Sequence, residues 1–317
     1  MSAGCVPSEV SGVLGLEDVG IAALDLVDPK ALDWTTVART AYLLHQRLRY
    51  EYPTSIRDLA HRLMVIPPKW HGNQRRVLHR LDVSGAPAHR TDRVDGFGNH
   101  VVDVRAARVA KAVEFEAWVV VERSTGAGAT LLPGSALGDR RLLDPSPLTA
   151  PDPELRRVAA SLARGGTAGL ELALAINEWV HGAMRYRHGF TDVRTTAAAA
   201  LATGRGVCQD YAHVMLALCR LCGLPARYVS GHMLGEGGTH AWVEVVVPAS
   251  GRPGLAEAVA LDPTHGRLAG LTYLTVAVGR DYTDVAPTSG SFRASCSGRL
   301  SAHKQVGVTG VEFALAS

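Results

Sequence analysis

The 317-residue chain predicts an α+β fold with an antiparallel sheet, on three observations. Short runs rich in β-branched and aromatic residues crowd residues 34–123. Apolar residues then recur at three- and four-residue spacing through "PELRRVAASLAR", "GLELALAINEWVHGAMRY" and the stretch from Cys208 to Cys222. After them come strand-like runs in succession, "ARYVSGHML", "HAWVEVVVP" and "AVALD". Helices followed by grouped strands, instead of an alternating series, point to an antiparallel sheet.

In chain order, residues 1–33 are small, acidic and poorly periodic, an extension with no claim to a stable element. Residues 34–145 read as a β-rich, sandwich-like domain. Its strands are "YLLHQRLRYEY" (Tyr42 to Tyr52), "RRVLHRLDV" (Arg75 to Val83) and "EFEAWVVVE" (Glu114 to Glu122), with "DGFGNHVV" supplying a tight turn into another. Residues 124–153 collect Gly, Pro and Ser and read as a linker. Residues 146–290 form the second domain, and 291–317 a strand-like tail.

The helix over 169–183 is expected to turn Leu170, Leu174, Ile176 and Val180 to one side, with Trp179 beside them. Thr196 can cap the next helix and Gly204 end it. A further helix starts near Cys208 with Tyr211, Met215, Leu218 and Cys222 as its apolar stripe, and stops at Gly223 and Pro225.

Composition excludes several classes. Hydrophobic residues are 47% and charged ones 20%, which suits a folded chain. A net charge of +3 with scattered Lys and Arg gives no reason to expect nucleic acid or an anionic membrane as partner. The start of the chain lacks a signal-peptide pattern, no window is long and apolar enough for a membrane span, and five cysteines make no disulfide scaffold. A cytoplasmic location is expected. Nucleotide motifs and metal-ligand spacings are missing, so no cofactor and no metal are expected.

Cys208 is the residue that raises a functional question. Helix N-termini stabilise thiolates, and this cysteine follows "GRGV" at one. His240 opens a strand 32 residues later, and Asp262 closes another 22 residues beyond that. Adjacent antiparallel strands can set such a His and Asp side by side. The chemistry assigns Cys208 as nucleophile, His240 as proton carrier and Asp262 as the group that orients the imidazole. The Cys208 N–H faces the oxyanion; Trp179, Tyr186 and Gln209 are the candidates for further support around the thiol.

"GVCQDYAHVMLALCRLCGLPARYVSGHM", "THAWVEVVVP", "ALDPTHG" and "VGRDYTDVAP" together resemble the core of the bacterial transglutaminase-like superfamily. "RLRYEYP" and "DGFGNHVVDV" are similar to the β-rich region that precedes such cores. The resemblance implies a papain-like core, a triad on Cys208, His240 and Asp262, and acyl transfer through a thioester. It also places Asp281 and Tyr282 near the cleft. The substrate is then a peptide, protein or small amide, with hydrolysis slightly favoured. Amide formation with an amine acceptor, or a binding protein with a vestigial triad, are the alternatives. "PASGRPGLAEA" is longer than the family pattern leads one to expect between the His and Asp strands.

Other features have plainer readings. Cys219 and Cys222 fall late in their helix and read as core. His213 stands about 140° around the helix from Cys208 and is expected to bond across the domain, while Asp210 favours the first turn.

Overall fold

The structure, a computed structural model, describes residues 26–125 and 130–314. Most of the expected N-terminal extension therefore lies outside the described residues. Of its end, Val27 bridges to Val308 and Pro29–Ala31 form one turn of 3-10 helix capped by Asp28.

The first part of the chain is all strand. It contains β1 (Val37–Glu51), β2 (Ile56–Leu63), β3 (Trp70–His71), β4 (Gln74–Ser84), β5 (His89–Val94), β6 (His100–Val109) and β7 (Ala112–Ser124). In β7 the residues Val113, Phe115, Ala117, Val119 and Val121 are buried while those between them are half-exposed, as a strand with one face on a core requires. Two antiparallel sheets result, one ordered β17 (Arg299–Phe313), β1, β7, β4, β3 and the other β16 (Thr288–Arg293), β2, β6, β5. Their inner faces share one core containing Tyr42, Leu48, Ile56, Leu63, Val104 and Phe115. That is a sandwich.

Two of its strands come from the far end of the chain: β16 (Thr288–Arg293) pairs with β2, and β17 (Arg299–Phe313) runs the length of β1. The residues read as a strand-like tail are thus an edge strand of the sandwich.

The expected linker is largely structured. After residues 126–129, β8 (Thr130–Pro133) pairs with β13, followed by 3-10 turns and α1 (Arg140–Leu143), which buries Leu142. Pro and Gly here shape turns that pack on the second domain.

That domain has α2 (Pro153–Ala163), α3 (Gly169–Ala183), β9 (Arg185–Tyr186), α4 (Ala197–Thr203), β10 (Arg205–Gly206) and α5 (Cys208–Leu221). They are followed by β11 (Ala226–Met233), β12 (His240–Pro248), β13 (Leu255–Asp262), β14 (Arg267–Leu268), β15 (Tyr273–Gly279) and α6 (Tyr282–Val285). Thr196 caps α4 and Gly204 ends it in the left-handed region. The main sheet is ordered β14-β13-β12-β11-β15, and α5 packs across β11 and β12. One face of the sheet (Tyr228, Val243, Val245, Ala277) meets the helices, while Leu274 and Val276 of β15 join the sandwich core. With both faces covered, β11 and β15 are buried along their whole length.

Two helical expectations need correction. In α3 the buried side is Leu172, Ala173, Ile176, Asn177 and Val180; Leu170 and Leu174 are exposed. Positions 172, 176 and 180 form the i, i+4 row that faces the core, and the predicted set straddled it. In α5 burial is not a stripe: every residue from Asp210 to Arg220 is buried. Sheet, α2, α3 and α4 surround it, so polar side chains on it must find partners inside. Arg220 does, donating to Thr149 Oγ1 at 2.6 Å and to the carbonyls of Arg280, Ala226 and Leu142.

Candidate active site

The start of α5 is built by Asp210. Val207 has extended backbone before the helix and no side-chain oxygen to cap it. Asp210 reaches back instead and accepts the Val207 N–H at 2.7 Å and the Thr191 hydroxyl at 2.7 Å. Residue 206 must be glycine for this, because a Cβ there would stand 2.5 Å from Asp210 Oδ2. Cys208 follows as the first helical residue, half-buried, with an N–H the helix does not use. That N–H donates to the Tyr186 hydroxyl. Burial, with Cys208 and Glu236 close by, pushes the Tyr186 phenol up to about 12, so it keeps its proton at neutral pH.

His240 is the first residue of β12 and Asp262 the last of β13, both with side chains closed off from solvent. His240 Nε2 lies 2.8 Å from Asp262 Oδ2. Its Nδ1 stands 3.3 Å from Glu236 Oε2 but has no hydrogen-bond partner among the described residues, and Cys208 is a further neighbour of the ring. Burial alone would lower the imidazole's pKa; the hydrogen bond to Asp262, with Cys208 and Glu236 close by, outweighs it and holds the ring protonated well above the usual histidine range.

Asp262 is in turn crowded with donors. Its Oδ2 accepts from Tyr273 Oη at 2.7 Å and contacts His265 Nδ1 at 2.8 Å, while Oδ1 accepts the Thr264 N–H at 2.9 Å. Burial would raise this carboxyl, but His240, Tyr273 and His265 keep it far below the ordinary carboxylate range. Arg267 Nε donates to the Tyr273 oxygen at 2.9 Å, leaving the tyrosine proton for Asp262. Trp242, two residues along β12, stacks against His240 with centroids 6.1 Å apart.

The other sequence candidates fall elsewhere. Trp179 is half-buried on α3 against the helical core. Gln209 Nε2 reaches the Asp192 carbonyl at 3.5 Å. Asp281 caps α6 through the Thr283 N–H, and the Tyr282 N–H donates to His213 Nε2 at 3.3 Å. These contacts tie α6 to the flank of α5 and not to the thiol. Cys219 is fully buried, and burial pushes its thiol up.

Sequence reading missed Glu236, His265 and Tyr273. His265 had a signal, three residues after Asp262 in "DPTHG", but was absorbed into a turn. Tyr273 had none, since its contact with Asp262 exists only once β15 is in place. Metal-ligand spacing was not visible either, yet His240, Asp262 and His265 bring ligand atoms within 4.8 Å of one another, as do His79, Asp92 and His100 in the sandwich. In the first group those atoms are engaged with each other. In the second, Arg90 holds both Asp92 oxygens at 2.6 Å.

Residues 156–252 match the family model of the transglutaminase-like superfamily, and residues 42–122 that of the bacterial transglutaminase-like N-terminal region. The chain belongs to the transglutaminase-like superfamily. It is 31% identical over 279 residues to an uncharacterized protein of Mycobacterium tuberculosis, covering 78% of this chain and 86% of that one. A second uncharacterized protein, from Mycobacterium leprae, is 30% identical over 246 residues, covering 72% and 84%. Among solved structures, a proposed cysteine protease from Cytophaga hutchinsonii superposes with a TM-score of 0.65 over 87% of this chain and 93% of its own, at 20% identity. That similarity is one of fold. Asp262 lies beyond the residues matched by the core family model, so its membership of the site rests on the geometry above.

Proposed function

We propose that this protein is a cysteine-dependent enzyme that cleaves amide or peptide bonds through a thioester, with water as the usual acyl acceptor. The observation that carries the reading is one buried imidazole next to Cys208 whose Nε2 lies 2.8 Å from Asp262 and whose Nδ1 has no hydrogen-bond partner among the described residues. A protonated His240 favours the thiolate form of its neighbour and is ready to donate. Cys208 attacks the carbonyl carbon, and the negative charge on oxygen meets the Cys208 N–H and the Tyr186 O–H, with Tyr186 releasing the N–H it holds in the resting site. Collapse expels the amine, which takes the His240 proton, and leaves the acyl group on sulfur. Neutral His240 then takes a proton from water as the water oxygen bonds to the thioester carbon; collapse breaks the C–S bond, releases the acid and restores the Cys208 thiolate beside protonated His240.

Four described cysteines, Cys208, Cys219, Cys222 and Cys296, are free thiols, which supports a reducing, cytoplasmic setting. Among the described residues no helix is long and apolar enough to cross a membrane.

The test gives the enzyme a glutamine-containing polypeptide with a labelled primary amine, and Cys208→Ala as control. Ammonia or new N-termini without label, lost in the variant, is the expected result. Label on the polypeptide would transfer the reading to amine acceptors. Turnover retained in Cys208→Ala would end it.

A further inference from the structure

Glu236 stands where no part of the triad requires a carboxylate. It lies in the turn between β11 and β12, with Gly235 before it and Gly237 and Gly238 after it. Its two oxygens touch the outer nitrogens of two histidines, His240 Nδ1 at 3.3 Å and His265 Nε2 at 3.5 Å. Both contacts are long for charged hydrogen bonds, which run about 2.7–2.9 Å. Among the described residues no Lys or Arg is recorded in an ion pair with it, and its side chain remains 37% exposed. A partly exposed carboxylate beside the two imidazoles is therefore only loosely satisfied.

The turn has room to move. A Cβ on Gly235, Gly237 or Gly238 would meet nothing within 4 Å, and Gly235 has φ +91°. Behind the turn a cavity of about 200 Å³ is lined by His232, Gly235–Gly238, Lys304, Gln305 and Val306. The nitrogen near Glu236, His240 Nδ1, has no hydrogen-bond partner among the described residues, and Cys208 is a neighbour of the same ring. Whatever draws the carboxylate away leaves Nδ1 free of it.

We propose that Glu236 is a specificity-determining residue that reads a positive charge, an ammonium or guanidinium, on the molecule bound at Cys208. The cation replaces the two imidazoles as partner of the carboxylate. Binding and release of Nδ1 are then one event, so a basic substrate is preferred at a Cys208–His240 pair that also serves neutral ones. Lys304 on the cavity's far wall opposes a cation, so the contribution of Glu236 must be isolated by substitution. The inference rests on Cys208 being the reactive thiol.

The test needs no substrate. Cys208 modification is followed by mass spectrometry at low ionic strength with two methanethiosulfonate reagents of similar size, the cationic trimethylammonioethyl and the anionic sulfonatoethyl compound. Iodoacetamide, which is neutral, reports thiolate reactivity in parallel. The cationic reagent is expected to react roughly tenfold faster, the low end of what a local field gives. Glu236→Gln should erase the ratio, and Glu236→Lys should invert it, with the protein still folded by circular dichroism. An unchanged ratio in Glu236→Gln, or no preference in the native protein, overturns the proposal. Slow iodoacetamide reaction of Cys208 near pH 6 would instead strike the nucleophile assignment itself.

Discussion

At the scale of single residues, the site turns on how many donors one carboxylate oxygen can hold. Asp262 Oδ2 serves His240, His265 and Tyr273 together, and Tyr273 meets it with a hydroxyl. Removing its hydroxyl leaves the carboxylate freer to shift and the imidazole less firmly aimed. A hydrogen bond to a charged group contributes about 1.5–3 kcal/mol, so Tyr273→Phe should lower kcat about tenfold with little change in KM. Steady-state kinetics on an amide substrate checks this; a rise in KM alone would place Tyr273 in binding instead. Asp262→Asn should cost far more, on the order of 10³–10⁴ in kcat, since the amide cannot hold the imidazolium. Asp210 acts one step further out. Asp210→Ala frees the Val207 N–H and Thr191 and should destabilise the fold by about 1–2 kcal/mol, read as a lower urea midpoint. Cys208, His240 and Asp262 could be picked from the sequence because each falls at an element boundary, where residue type and position speak together. Tyr273 and Glu236 could not, because their meaning comes from a contact across two strands or a turn.

At the scale of elements, strands were legible wherever only one face is buried, as in β7, and helix ends wherever glycine follows, as at Gly204. The stretch from 130 to 149 was not, because its Gly and Pro content marks turns equally well in a linker and in a packed connection. Nor was the pairing of β17 with β1, a contact spanning nearly the whole chain, which local pattern does not encode. Gly231 shows the same limit inside one strand. It sits at the register shift between β11 and β15, and a Cβ there would lie 2.1 Å from the Leu274 carbonyl and 2.5 Å from the Trp242 ring. Backbone cannot yield as a flexible side chain does. Gly231→Ala should therefore destabilise by about 1–3 kcal/mol and displace Trp242 from His240. Denaturant unfolding and the tryptophan fluorescence of the native state measure the two effects. A variant with native stability would show that the bulge relaxes freely.

At the scale of the whole molecule, the joint between the sandwich and the transglutaminase-like core is polar as well as apolar, and this gives stability a pH dependence. His71 of the sandwich and Arg227 hold the buried Glu244, and Gln46 contacts His232 at 3.1 Å. Burial pushes His61, His213 and His232 down to about 4. An unfolded histidine titrates near 6.5, so between the two values the unfolded chain binds the extra protons and acid favours unfolding. Stability is full above about pH 6.5 and falls as pH drops toward 4, by up to about 3 kcal/mol for each fully buried ring. His240 does not offset this. Its pKa is raised, so its contribution is complete below 6.5 and is lost only as pH rises through its folded value. Glu244, pushed down to about 2 because His71 and Arg227 outweigh its burial, adds a further loss only below its unfolded value near 4.5. The urea midpoint should therefore fall steeply between pH 6.5 and 4.5, before any carboxylate pair breaks. His232→Gln, which keeps a hydrogen-bonding group beside Gln46, should flatten that slope whatever it does to stability at pH 7. A midpoint constant from pH 7 to 5 would mean that the buried histidines find a proton acceptor when charged, and that the joint opens to admit one.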